Sequence, residues 1–144
     1  LSVGQAWKVA HVVAKAGAWL HERGLMHGDI YLHNTLRVPG LVPSCDSVKL
    51  SDFGAASAYD RVAHPLLQRL EVRSYGWLVH DLLSWCAGAT AGGEGELQRG
   101  ELEVREKMGR LATACTTPDC PLEDVPTFER LVEQLDAVRA AAGW

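Results

Sequence analysis

The apolar positions near the start of the chain repeat with the period of an α-helix. Apolar side chains recur three or four positions apart, at Ala6, Val9, Ala10, Val13, Ala16 and Leu20. This spacing places them on one buried face. Ser2 followed by Gln5 has the pattern of a capping box, and Gly24 suits the left-handed geometry that follows a helix end. We therefore predict a helix from about residue 3 to residue 23.

Two short runs of alternating apolar and polar residues follow, Thr35–Val38 and Val48–Leu50. Alternation of this kind is typical of strands. The residues between them, 39–46, include Pro and Gly and predict a turn or loop. The two runs together predict a small β-hairpin.

The second half of the chain predicts further helices. Glu71–Gly88 is so rich in apolar residues that we expect it to be buried nearly all round. Leu102–Cys115 predicts another helix, Thr116–Asp119 a turn, and a last helix opens near Phe128. The Gly-, Ala- and Glu-rich segment Ala89–Gly100 predicts a mobile connector. The five tryptophans are expected at core-like positions.

The composition places few constraints on function but excludes several classes. The chain has 144 residues, of which 47% are hydrophobic and 22% charged, as in an ordinary soluble globular protein. We expect a single domain over residues 1–144. A net charge of −4 offers no basic surface, so nucleic acid is not an expected partner. The sequence has no apolar run of membrane-spanning length.

The cysteines favour neither zinc nor disulfides. Cys45, Cys86, Cys115 and Cys120 form no C-x-x-C pair and have no histidine at zinc-ligand spacing. A chain of this size with a good apolar supply has no need of disulfides. We interpret the four side chains as reduced thiols and expect a cytoplasmic location.

The candidate chemistry lies in a short polar stretch that begins at His27. Asp29 is followed five positions later by Asn34, and Asp52 leads a glycine-containing turn after the second strand. Magnesium binds through one or two carboxylates together with substrate phosphates. Asn34 and Asp52 can supply the protein oxygens, which leaves Asp29 to take a proton from an attacking hydroxyl.

This order of residues resembles the catalytic loop and metal-binding turn of protein kinases, H-R-D-x-x-x-x-N and D-F-G. His27, Asp29 and Asn34 match the first motif. Asp52, Phe53 and Gly54 match the second. The resemblance implies a mainly α fold, the C-terminal lobe of a protein kinase, with a small β-hairpin carrying the catalytic loop and the D-F-G turn.

The resemblance also implies roles for the residues around the site. Asp29 is expected to act as the base, and Asn34 and Asp52 to bind ATP through Mg²⁺. His27 and Phe53 are expected to pack together in support, and Gly54 to let the chain turn. Glu71 stands where kinases carry an aspartate that anchors the backbone of the catalytic loop.

Several features of the family pattern are missing. No glycine-rich loop or V-A-I-K lysine precedes His27, and the chain begins at Leu1. We therefore expect a fragment whose N-terminal lobe lies upstream, and expect the fragment alone to be inactive. Gly28 replaces the usual arginine, and Tyr31 replaces a lysine that contacts phosphate. The segment from Asp52 to Glu71 is short and lacks A-P-E.

The expected function is ATP-dependent phosphoryl transfer to a protein hydroxyl, mainly serine or threonine, in the intact protein. Two alternatives remain open. One is a pseudokinase or scaffold that binds partners or nucleotide without turnover. The other is a kinase of small molecules such as aminoglycosides or choline, some of which share the His-Gly-Asp pattern of His27–Asp29.

Overall fold

In a computed structural model, residues 1–38, 47–88, 99–121 and 124–143 are described. They form four α-helices and two small antiparallel sheets. The predicted loop at 39–46 lies outside the described residues, as does most of the predicted connector at 89–98. The mainly helical class predicted from the sequence is confirmed for the described part.

Helix α1 runs over Val3–Glu22, within one residue of the prediction. The Ser2 hydroxyl accepts from the Gln5 N–H, and the Gln5 side chain accepts in return from the Ser2 N–H, so the capping box is present. Gly24 has a φ of +66° directly after the helix, the geometry that glycine adopts without steric cost. The chain then enters strand β1, Leu25–Met26.

The predicted hairpin is present as β2 (Thr35–Val38) and β3 (Ser47–Leu50). Its register pairs Thr35 with Leu50 and Val38 with Ser47. A second sheet joins β1 to the two-residue strand β4, Ser57–Ala58. This second sheet brings the chain that follows the hairpin back beside the chain that precedes His27.

Helix α2 spans Pro65–Gly88 and starts six residues before the predicted position at Glu71. Proline is well suited to the first position of a helix, since its fixed φ is already helical and its missing N–H would be unpaired there. The expectation of burial all round is also wrong. Leu66, Leu70 and Trp77 are exposed, because α2 packs against α1 and α3 on its other sides.

Helices α3 (Arg99–Thr116) and α4 (Phe128–Ala142) complete the described part. Arg99 and Gly100 were expected in the connector but belong to α3. Pro118 and Asp119 lie in a turn as predicted, whereas Thr116 is still helical. Thr127 caps α4 by accepting from the Arg130 N–H.

The core lies where α1, α2, α3 and α4 meet. Its largest fully buried side chains include Tyr75, Phe128 and Met108. The prediction that the tryptophans occupy core positions holds for Trp7 and is wrong for Trp19, Trp77 and Trp85, which are exposed. Trp144 lies outside the described residues.

Candidate active site

The candidate catalytic loop begins where β1 ends and is anchored at once by a buried histidine. The Nε2–H of His27 donates to the carbonyl oxygen of Ser51 at 3.0 Å, and Nδ1 accepts from the Asp29 N–H at 3.3 Å. The ring also meets the ring of Phe53 edge-on, with 4.6 Å between centroids. His27 therefore holds the start of the loop against the turn that contains Asp52.

Glu71 fixes the backbone of the loop from α2. Its Oε1 accepts from the Gly28 N–H at 2.6 Å, and the residue is buried. A carboxylate that accepts from a backbone N–H forms a charge-assisted bond, stronger than one between neutral groups. The additional methylene of glutamate relative to aspartate is thus accommodated, and Glu71 holds the loop backbone at Gly28.

The second oxygen of Glu71 reveals a residue that the sequence reasoning missed. His21 on α1 donates from Nε2 to Glu71 Oε2 at 2.6 Å, and both side chains are only 1% exposed. The sequence does carry a signal that His21 is buried. His21 lies four positions after Gly17, on the buried face of α1, and is a polar residue on an otherwise apolar face. We give the three-residue link of His21, Glu71 and the Gly28 backbone the name loop anchor.

Asp29 and Asn34 are brought together by two hydrogen bonds. The Asn34 Nδ2 donates to the backbone oxygen of Asp29 and to its Oδ2, each at 2.9 Å. Asn34 is buried, whereas Asp29 is exposed. The asparagine therefore orients a carboxylate that remains open to an incoming molecule.

The hairpin register then places Asn34 beside the second motif. Because Thr35 pairs with Leu50, Asn34 lies opposite Ser51. The Ser51 N–H and hydroxyl both donate to the Asn34 carbonyl oxygen, at 2.8 and 3.0 Å. Asp52 follows Ser51 directly, so one short ladder joins the residues that were predicted to bind a metal.

Asp52 itself carries the unusual backbone geometry of the turn. It has a φ of +61° and a ψ of +74°, and its Oδ1 accepts from the Gly54 N–H at 3.2 Å. Gly54 was expected to let the chain turn, but the left-handed φ falls on Asp52 instead. Aspartate tolerates this region better than most residues because its short polar side chain bonds locally. The Asp52 carboxylate is exposed.

Gly28 has a structural reason to differ from the arginine of the kinase pattern. Its φ is +82°, and a Cβ at this position would come within 2.4 Å of the Ala55 carbonyl oxygen. Any side chain would thus collide with the turn after Asp52. The glycine permits the two segments to approach closely.

The side-chain oxygens of Asn34 and Asp52 are of the kind that magnesium binds. No group of three or more His, Cys, Asp or Glu side chains that could hold a metal ion occurs in the described ranges. Asn34 uses its amide nitrogen for both bonds to Asp29, so its amide oxygen is the atom that could bind a cation. Together with the Asp52 carboxylate, it would supply the small number of protein oxygens that Mg²⁺ needs when phosphates supply the rest.

Comparison with known proteins gives no further assignment. No protein-family model matches the chain, and no curated protein matches it. No helix in the described residues is long and apolar enough to span a membrane.

Proposed function

We propose that this chain is the catalytic-loop lobe of an ATP-dependent protein kinase, which transfers a phosphoryl group to a serine or threonine hydroxyl. The observation that carries the proposal is the double hydrogen bond from the Asn34 amide to Asp29. It joins the candidate base to a candidate metal ligand in one rigid unit, and the loop anchor fixes the backbone beneath it.

Asp29 is the group that would accept or orient the proton of the acceptor hydroxyl. Its carboxylate is exposed to an incoming substrate and is oriented by Asn34, so little reorganisation is needed during the reaction. Positioned bases of this kind contribute about 10²–10⁴-fold to rate. The oxygens of Asn34 and Asp52 would hold magnesium, whose charge offsets that of the transferring phosphoryl group.

The nucleotide-binding site is the part of the active site to which both this chain and an upstream segment would contribute residues. The resemblance assigns the glycine-rich loop and the phosphate-binding lysine to an N-terminal lobe. Phe53 is half exposed beside His27 and would contact that lobe. Catalysis is accordingly proposed for the intact protein and not for this lobe alone.

A second candidate is transfer to the hydroxyl of a small molecule. The observation that favours it is the early start of α2 at Pro65, which leaves only a short exposed segment after Asp52. A peptide substrate would find little surface there on which to lie. The same base and metal ligands would serve either acceptor.

The experiment that tests the proposal measures transfer of labelled terminal phosphate from ATP. The full-length protein is incubated with Mg²⁺ and a generic protein acceptor, beside Asp29→Asn and the matched control Asp124→Asn. Asp124 is exposed and far along the chain, between α3 and α4. We expect Asp29→Asn to lower the rate of transfer by about 10²-fold or more, and Asp124→Asn to leave it unchanged.

Other outcomes select among the alternatives. Transfer to small hydroxyl compounds but not to protein, with the same loss in Asp29→Asn, would support the second candidate. Transfer that is indifferent to Asp29 would disprove the role of this residue. ATP binding without any transfer would favour a scaffold, in keeping with the missing cation at Tyr31.

A further inference from the structure

One face of helix α2 is exposed along most of its length. Its members are spaced three or four residues apart and therefore form a single stripe. They are Leu66, Leu70, Arg73, Trp77, Asp81 and Ser84. Leu66 and Leu70 are each 60% exposed and Trp77 is 55% exposed. Exposed apolar side chains that lie together on one helix face are characteristic of interaction sites.

The stripe contains two charges of opposite sign, and neither is neutralised within the described residues. Arg73 and Asp81 are exposed, and neither forms a side-chain ion pair with another described residue. They lie four residues before and four residues after Trp77. The two charges are thus equally far from Trp77 along the helix and opposite in sign, a pattern that is antisymmetric about the tryptophan.

This antisymmetry has a specific geometric consequence. If a second α2 packs antiparallel on the first with Trp77 at the two-fold axis, Arg73 of each copy lies opposite Asp81 of the other. A two-fold interface is self-complementary by construction, and opposite charges across it fix the register of the helices. A parallel arrangement in register would instead place like charges together.

We propose that the protein forms a homodimer through the exposed face of α2, with Trp77 on the two-fold axis and two Arg73–Asp81 pairs flanking it. The occupant of the face is a second copy of this chain, because the charges on the stripe complement themselves. The proposal does not depend on the proposed kinase activity.

The surface next to the stripe offers space for the end of the second helix. A groove of about 380 Å³ opens between α2 and the segment after α3, and it is lined by Leu66, Leu70 and Arg73 among others. In the antiparallel arrangement, Ser84 of the second copy lies opposite Leu70, with Trp85 next to it along the helix. Trp85 is 58% exposed in the single chain and would be covered there.

The test is a charge-reversal series followed by sedimentation equilibrium across the micromolar range. We expect the wild-type protein to dimerise. Arg73→Asp and Asp81→Arg, each alone, should raise the dissociation constant about tenfold or more, because two attractive contacts become repulsive. An equimolar mixture of these two variants should form a heterodimer, since both pairs are then complementary again.

Further variants separate this interface from other surfaces. The double variant Arg73→Asp with Asp81→Arg should dimerise as the wild type does. Trp77→Glu should abolish dimerisation, whereas Trp19→Glu, at a tryptophan equally exposed at 55% but on α1, should not. Far-ultraviolet circular dichroism checks that each variant is folded.

A wild-type protein that remains monomeric throughout this range would overturn the proposal. So would a dimer that survives Trp77→Glu, or single charge variants that fail to associate when mixed. Loss of the dimer in every variant, Trp19→Glu included, would equally contradict the assignment of this face.

Discussion

At the scale of single residues, the candidate catalytic loop and the turn after Asp52 pack closely together because Gly28 has no side chain. The backbone of Gly28 donates to Glu71 on one side and lies against the Ala55 carbonyl oxygen on the other. A side chain here would have to displace one of the two segments. The packing around Gly28 therefore leaves no room for the arginine that stands at this position in the kinase pattern.

We expect Gly28→Ala to lower the free energy of unfolding by about 2–4 kcal/mol. A left-handed φ costs a non-glycine residue about 1–2 kcal/mol, and the clash at 2.4 Å adds the cost of moving a backbone carbonyl. Denaturant unfolding measures the change. Gly143→Ala is the matched control, because Gly143 has a φ of +70° but nothing near its Cβ position, so only the first cost applies. Equal losses in both variants would contradict this close packing.

The cysteines provide a prediction about reactivity at the same scale. Burial raises the pKa of the Cys115 thiol to about 12 and raises that of Cys86 as well, because a thiolate is poorly solvated there. Both are thus held as thiols near pH 8, and the thiolate is the reactive form. Alkylation of the native protein with iodoacetamide, mapped by mass spectrometry, should modify the partly exposed Cys120 well before either. In denaturant the difference should disappear, and early alkylation of Cys115 in the native protein would refute its burial.

At the scale of elements, α2 and α3 approach closely because Gly76 carries no side chain. A Cβ on Gly76 would lie 2.6 Å from the Cβ of Cys115 and 2.7 Å from the Thr116 methyl group. Glycine normally weakens a helix interior by about 1 kcal/mol relative to alanine. Its presence in the middle of α2 is therefore explained by the helix–helix contact.

Gly76→Ala should consequently destabilise the protein by about 1–3 kcal/mol, despite the better helix propensity of alanine. Gly109→Ala, in α3, is the control. Its Cβ would make only an ordinary contact at 3.9 Å with Leu83, so this variant should be neutral or more stable by up to about 1 kcal/mol. Thermal unfolding distinguishes the two. A stabilised Gly76→Ala protein would show that the helices can separate without cost.

The elements were largely predictable from local signals, because those signals act over a few residues. The capping box at Ser2, the alternation in Thr35–Val38 and the helix start near Phe128 all lie at the observed boundaries. The predicted start of α2 at Glu71 follows the kinase pattern and is six residues late, although Pro65 is itself a helix-start signal. The expected burial of α2 nearly all round is wrong for a different reason. A run of apolar residues does not show which faces of the helix the other helices cover.

At the scale of the whole molecule, the loop anchor joins three separate parts of the fold. Glu71 belongs to α2, His21 to α1 and Gly28 to the candidate catalytic loop. Family resemblance indicated Glu71 from the sequence, as it did Asp29, Asn34 and the turn at Asp52. His21 could not be paired with it in advance, because the two residues are fifty positions apart and meet only when α1 packs on α2.

The anchor should therefore contribute to global stability as well as to loop geometry. Glu71→Gln keeps the shape but removes the charge from two short hydrogen bonds, and we expect it to lower the free energy of unfolding by about 1–3 kcal/mol. Glu71→Ala leaves His21 and the Gly28 N–H without partners and should cost about 3–5 kcal/mol. Glu133→Gln, which removes an exposed contact to Arg130, should cost less than about 1 kcal/mol.

Amide hydrogen exchange at Gly28 distinguishes a loop effect from general destabilisation. In Glu71→Gln the Gly28 amide should exchange faster by more than the global loss of stability explains, because its acceptor has lost its charge. In Gly76→Ala, which lowers stability elsewhere, the same amide should follow the global change alone. If Gly28 exchanges in parallel with the core in both variants, Glu71 stabilises the fold but does not specifically hold the loop, and the positioning of Asp29 must depend on Asn34 and His27.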